Sequence, residues 1–171
     1  NNSNAAKSKS CCAGIDIEDA KKVAYQNNIN HITLDYQDKF FDGVISNFVE
    51  SYAQGETPLP CVSCNQTVKF KDLLDEAKKM GADALVTGHY AIRKGSLKNA
   101  SLHKARDVSK DQSFFLFATL QEQLDYVRFP LGNYKKTEIR KLAVEYDLEV
   151  SDKPDSQDIC FVTSDSYRNL I

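Results

Sequence analysis

Phe40, Phe41, Val44, Ile45, Phe48, Val49 and Tyr52 recur at spacings of three and four, marking one strongly apolar helix face that closes near Gly55. So wide a stripe has to be buried, and the flanking sequence indicates against what. Ahead of it, Asp16 is placed to cap a helix carrying Ile17, Ala20, Val23 and Ala24 on one face, ended by Asn27-Asn28. Between these two helices His31, Ile32, Thr33 and Leu34 form a short run of β-formers. Behind them a third helix, over residues 64–80, carries Val68, Leu73, Leu74, Ala77 and Met80 and stops at Gly81. Ala84-Leu85-Val86-Thr87 is then a short buried strand leading to Gly88-His89-Tyr90. Helix, strand, helix, helix, strand is the rhythm of an α/β fold, an open and mostly parallel twisted sheet with flanking helices. The 31–34 and 84–87 strands are expected parallel and adjacent. Ligands of such sheets bind beyond the carboxyl ends of the strands, which puts Gly88 and His89 at a site.

The second half is less regular. Ala91-Ile92-Arg93 and Leu102-His103-Lys104 are suited to a hairpin across Lys94-Gly95-Ser96. Residues 114–126 read as helical, Phe129-Pro130-Leu131-Gly132 as a turn, and residues 137–146 as an amphipathic helix. There is no internal repeat. The 171 residues suit one domain, and 42% hydrophobic content suffices for a packed core. With 22 basic against 24 acidic residues the formal charge is −2, which excludes a disordered polyelectrolyte and a globally basic nucleic-acid wrapper. A local basic path stays open. No run approaches the length of a membrane span, and the polar first ten residues do not read as a secretory signal. That Asn, Ser, Ala and Lys leader is expected to be disordered. The first residue is not methionine, and the chain reads as an excerpt of something longer.

The five cysteines stand at 11, 12, 61, 64 and 160. An odd, clustered set does not look like a secreted disulfide framework and points to a reducing cytosol. Cys61-Val62-Ser63-Cys64 could be half a zinc site, but no second pair at matching spacing exists, so no metal is expected. It could be a redox pair, although it follows a double-proline loop rather than a strand. A third reading makes Cys64 a catalytic thiol in the first turn of the 64–80 helix, where free N–H groups and the helix dipole favour thiolate. Cys160 by itself reads as a small buried hydrophobe, and only together with Cys64 does it suggest chemistry. Lys110-Asp111-Gln112-Ser113, ahead of an aromatic run, is either a solvated cap or a polar clamp on a phosphate or base edge.

Taken jointly these segments resemble the tRNA-specific 2-thiouridylase family. The resemblance rests on Thr57-Pro58-Leu59-Pro60-Cys61-Val62-Ser63-Cys64-Asn65, Gly81-Ala82-Asp83, Thr87-Gly88-His89-Tyr90, Lys110-Asp111-Gln112-Ser113-Phe114-Phe115-Leu116 and Asp155-Ser156-Gln157-Asp158-Ile159-Cys160-Phe161, in that order. It implies an N-type ATP pyrophosphatase domain, adenine nucleotide alpha hydrolase-like, that adenylates the C2 oxygen of the wobble uridine and then replaces AMP with sulfur from a cysteine persulfide. By resemblance, Cys160 bears the persulfide and Cys64 is its partner nucleophile. Gly88 contacts ATP, and Mg2+ is expected with it. His89, Lys110, Asp111 and Gln112 contact tRNA, and Leu59, Pro60 and Cys61 lie against the target base. Partners are then tRNA and a sulfur-donor protein, a cysteine desulfurase or sulfur carrier, in the cytoplasm. Two features depart from the pattern. The glycine-rich phosphate loop after the first strand has no counterpart, and Cys61 stands where some members carry an acidic residue. The expectation is therefore a partial catalytic domain over 11–171, ending where a tRNA-binding domain would begin. The readings beside it are a Cys61/Cys64 thiol-disulfide oxidoreductase and a non-catalytic tRNA-binding remnant.

Overall fold

The computed structural model describes residues 14–155 and 159–162. The expected leader, Cys11, Cys12 and the Ser156-Gln157-Asp158 stretch lie outside the described residues. Helix α1 (Gly14–Gln26) has Asp16 inside its first turn rather than as its cap, where the carboxylate still meets the positive helix end. Its carboxyl end is as expected: Asn28 adopts φ 54° and the Ile29 N–H returns to the Ala24 carbonyl at 2.8 Å.

Residues 31–34 are not a strand. His31, Ile32 and Thr33 are exposed, and no strand runs beside them among the described residues, so their β-forming side chains have no ladder to join. Helix α2 (37–53) follows, closed as expected by Gly55 at φ 80°. Its middle, Phe41–Ile45, is a wide π-type turn. The extra residue per turn rotates the apolar stripe, burying Val44 and Phe48 at 1% exposure and leaving Phe41 at 55%.

Helix α3 (60–79) begins four residues earlier than the sequence suggested. Pro60 has no N–H to leave unsatisfied and a φ already suited to a first helical turn, so the double-proline loop ends in a helix start. A second π-type stretch, Asn65–Asp72, lies in its centre. The two distorted segments cross at Gly43, where a Cβ would stand 3.1 Å from Thr67 Oγ1. Thr67 Oγ1 in turn donates to the Ser63 carbonyl at 2.8 Å. The small residue therefore sets how closely the helices approach.

Strand β1 (Leu85–Val86) pairs in parallel, not with residues 31–34, but with a segment 42 positions onward. Between them strands β2 (Ala91–Lys94) and β3 (Ser101–Lys104) form the expected hairpin, with Ile92 opposite His103 and Arg93 opposite Leu102. Residues 114–126 divide into a 3-10 turn, Ser113–Leu116, and helix α4 (Gln121–Tyr126). Strand β4 (Val127–Arg128) is the partner of β1, in register Leu85 to Val127. The Pro130–Asn133 turn brings Gly132 so near β2 that a Cβ would fall 1.8 Å from the Ala91 oxygen; only glycine fits. Helix α5 (Lys136–Glu145) completes the described elements, its Glu138 accepting from the Lys135 N–H at 2.6 Å. Phe70, Leu74, Ala91, Leu116, Leu124, Val127 and Phe129 form the core, joining α3 to both strand pairs. The result is an α/β fold with a parallel pair whose carboxyl ends open at Gly88 and Pro130.

Candidate functional site

The carboxyl end of β1 is the natural starting point. Pairing continues one residue past the strand, the Thr87 N–H donating to the Arg128 carbonyl at 3.1 Å. Gly88 then lies exposed, and a Cβ there would make only an ordinary 3.8 Å contact with Leu131. The fold leaves room at Gly88, just beyond the strand end.

His89 turns inward. Its ring stands edge-on to Phe70 and Phe129, at centroid distances of 5.9 and 6.3 Å, and Nδ1 shares a 2.8 Å hydrogen bond with Thr87 Oγ1. Burial, and then the nearby Lys69 charge, push its pKa down from 6.5 to about 4. At neutral pH it is a neutral imidazole and not a cation for phosphate.

The thiols lie across α3 and the distal segment. Cys61 and Cys64 are one helical turn apart and share a face, Cys61 exposed and Cys64 half-buried. Because the helix starts at Pro60, the first turn belongs to Cys61; Cys64 sits in the second, away from the N–H groups expected to activate it. Leu59 is exposed, and its carbonyl accepts from the Val62 and Ser63 N–H groups at 3.0 and 3.1 Å. Beside Cys64, Asn65 is buried, donating through Nδ2 to the Phe115 carbonyl at 3.0 Å while its Oδ1 has no partner among the described residues. Cys160 is half-buried. The neighbouring Phe161 ring is seated edge-on against Phe48 at 5.2 Å and Phe40 at 5.8 Å. Thus α2 carries the Cys160 segment, and its π-type turn packs against the turn bearing Cys61 and Cys64. No disulfide joins the three described cysteines.

Lys110, Asp111 and Gln112 divide by role. Gln112 holds Tyr90 from both sides: its Oε1 accepts from the Tyr90 N–H at 2.9 Å, and its own N–H donates to the Tyr90 carbonyl at 2.8 Å. Asp111 accepts from the Ala105 N–H at 2.7 Å and from the Ser113 hydroxyl at 2.8 Å, contacts that hold its pKa down against the effect of burial. Both polar ends are thus engaged inside the protein, fastening the hairpin to the Ser113–Leu116 turn. Lys110 points elsewhere, onto Asp155 at 2.9 Å. Lys136 reaches the same carboxylate at 2.8 Å and Arg140 at 4.0 Å. Hydrogen bonds from Lys136 and Lys110 push the Asp155 pKa down to about 2. The sequence reading missed Lys136 and Arg140, although a basic pair four apart on one helix face was legible as a signal. Among the described residues no three His, Cys, Asp or Glu converge to hold a metal ion. Nor is any described helix long and apolar enough to cross a membrane.

Comparison with known proteins adds relatives to this geometry. The family model for the tRNA methyl transferase HUP domain matches residues 1–164. The tRNA-specific 2-thiouridylase MnmA of Rickettsia peacockii (strain Rustic) is 57% identical over 165 residues, covering 96% of this chain and 45% of the relative. The protein of the same name from Rickettsia bellii (strain OSU 85-389) is 57% identical over 166 residues, 97% of this chain and 45% of its own. That from Rickettsia conorii (strain ATCC VR-613 / Malish 7) is 56% identical over 165 residues. The chain spans about 45% of the length of the curated relatives it matches.

Proposed function

The chain belongs to the tRNA methyl transferase HUP-domain family, and from that premise we propose that it acts in 2-thiouridine synthesis at the wobble uridine of tRNA. The β1–β4 pair is read as part of an open, mostly parallel twisted sheet of the N-type ATP pyrophosphatase kind. ATP enters as a substrate at the carboxyl end of β1, along the open backbone of Gly88. The C2 oxygen of the uridine attacks the α-phosphorus and pyrophosphate leaves, so a poor leaving oxygen becomes part of AMP. A sulfur-donor protein loads Cys160 as a persulfide. The Cys64 thiolate attacks Cys160 Sγ, the terminal sulfur leaves as hydrosulfide, and Cys64 and Cys160 are oxidised to a disulfide. The hydrosulfide attacks C2 and expels AMP with the original oxygen. A thiol reductant of the cytosol then returns the disulfide to two thiols.

The roles follow from placement. Cys61, exposed in the first turn of α3, is read with Leu59 and Pro60 as the wall against the extruded base; single-stranded anticodon loops make that extrusion inexpensive. His89 offers a neutral ring, and Lys110 a point charge, to the RNA. Asp111 and Gln112 act on tRNA through the hairpin they fasten. Among the described residues no three His, Cys, Asp or Glu converge, and magnesium would be held chiefly by the ATP phosphates, whose charge it would neutralise.

The observation that carries this reading is that α2 holds the Cys160 segment through Phe161 and also packs on the turn bearing Cys64. The test uses the full-length protein with an unmodified tRNA transcript, ATP and a persulfide donor. Thiolation is expected, lost in Cys64→Ser and Cys160→Ser, with a Cys64–Cys160 disulfide found by mass spectrometry after one turnover. A Cys61–Cys64 disulfide formed without any tRNA thiolation would replace this reading with the oxidoreductase, and undiminished thiolation in Cys160→Ser would reduce Cys160 to a buried thiol. Failure to bind ATP or thiolate tRNA would leave the non-catalytic remnant.

A further inference from the structure

Asp155 is gripped by more positive charge than it can neutralise. Lys110, Lys136 and Arg140 all lie within 4.0 Å of its carboxylate, three cations to one anion among the described ion pairs. The framework holds the Arg140 guanidinium, and the backbone that carries Lys136, independently of Asp155. The Arg140 guanidinium donates to the Ser151 and Lys153 carbonyls at 2.9 and 3.1 Å, and the Lys136 backbone N–H donates to Asp107 Oδ2 at 2.9 Å, fixing the first turn from which its side chain extends. Beneath them lies Tyr90, whose ring centroid is 5.7 Å from Lys136 Nζ. Tyr90 is 6% exposed and its hydroxyl makes no hydrogen bond among the described residues. A buried hydroxyl without a partner is costly, and beside an excess of cations it is a donor waiting for an acceptor.

We propose that Lys110, Lys136 and Arg140, with the Tyr90 hydroxyl beneath them, form a site for a backbone phosphate of the RNA, and that Asp155 fills it as an intramolecular competitor until RNA arrives. This rests on the tRNA reading above and deepens it. A phosphodiester carries one negative charge, as Asp155 does, so the exchange leaves local charge unchanged and other RNA contacts can tip it. Its two non-bridging oxygens accept from ammonium and guanidinium groups together, and the phosphate adds an acceptor within reach of a tyrosine hydroxyl.

The experiment measures binding of an unmodified tRNA transcript to the full-length protein over a salt series, for wild type, Asp155→Asn, Lys136→Gln and Tyr90→Phe. Removing the competitor in Asp155→Asn is expected to tighten binding by about threefold to tenfold. Lys136→Gln is expected to weaken it and make the slope of log affinity against log salt shallower by about 1. Tyr90→Phe should weaken binding without changing the slope. Unchanged or weaker binding by a folded Asp155→Asn protein would overturn the proposal. If that variant does not fold, the slope of Lys136→Gln decides: shallower supports the site, unchanged refutes it. Wild type that neither binds nor thiolates the transcript removes the tRNA reading and this site together. Wild type that thiolates normally, with unaltered slopes in the variants, removes this site alone.

Discussion

His89 shows how much one side chain's surroundings decide. The residue stands one past Gly88 at the strand end, where a cation for RNA would be useful, yet its ring is wedged between Phe70 and Phe129. Its folded pKa, about 4, lies below the ordinary 6.5, so the unfolded chain takes up the proton first as pH falls. Stability from this group is therefore complete above about pH 6.5 and declines between 6.5 and 4, by on the order of 2–3 kcal/mol. Urea midpoints over that window should show the decline in wild type and much less of it in His89→Gln; equal declines would place the proton elsewhere. The depressed Asp155 pKa, about 2, acts only below the ordinary carboxylate range and leaves this window untouched. The cysteines give a second residue-scale expectation. Pro60 moves the helix start upstream, so the exposed Cys61 should react with N-ethylmaleimide before the half-buried Cys64. Peptide mass mapping after brief labelling decides the order, and faster labelling at Cys64 would restore the activated thiol that spacing alone suggests.

Elements were legible where the physics is local. The three- and four-residue spacing in α2 and α5 and the stops at Asn28 and Gly55 need only neighbouring residues to be read. The 31–34 run failed because a strand is defined by its partner, and β-forming side chains cannot announce one. Val127 and Arg128, the partner β1 does have, make a two-residue strand too short to display alternation. The start of α3 was hidden by the second proline of its loop, which reads as a breaker but acts as a first helical residue. The π-type turns were invisible too, since an inserted residue changes which side of the helix is buried without changing composition. Of the site, the cysteines, Gly88 and His89 stood out as motifs. Phe161 closed one of those motifs, but its packing role was not legible, because it fills the gap between Phe40 and Phe48 on an element more than a hundred positions away. Phe161→Ala should therefore free the neighbouring thiol: alkylation of Cys160 is expected to rise several-fold, while global stability falls by about 1–3 kcal/mol. Unchanged Cys160 labelling in that variant would show that α2 does not hold the segment.

At the scale of the whole molecule, two kinds of cohesion divide the described residues. From α3 to Phe129 the parts are joined by a contiguous apolar core. Helix α1 buries no residue, and ion pairs link it to chain far away in sequence. Lys153 contacts both Asp16 and Asp19, and Lys22 reaches Glu149 at 3.4 Å. The two aspartates, through their hydrogen bonds, hold the Lys153 ammonium above its ordinary pKa, so it is charged at any pH where the protein would be studied. No helix periodicity could have revealed a contact spanning 137 positions. Since such pairs weaken with screening whereas apolar burial does not, α1 should be the part that salt loosens. Lys153→Ala is expected to speed amide hydrogen exchange across Gly14–Gln26 and leave the rates in α3 and β1 as they are. Raising salt to about 0.5 M, where the Debye length is only a few ångströms, should reproduce the same pattern in wild type. Exchange that rises together in α1 and α3 would mean instead that Lys153 supports the fold as a unit, and that the apolar core does not stand apart from its charged flank.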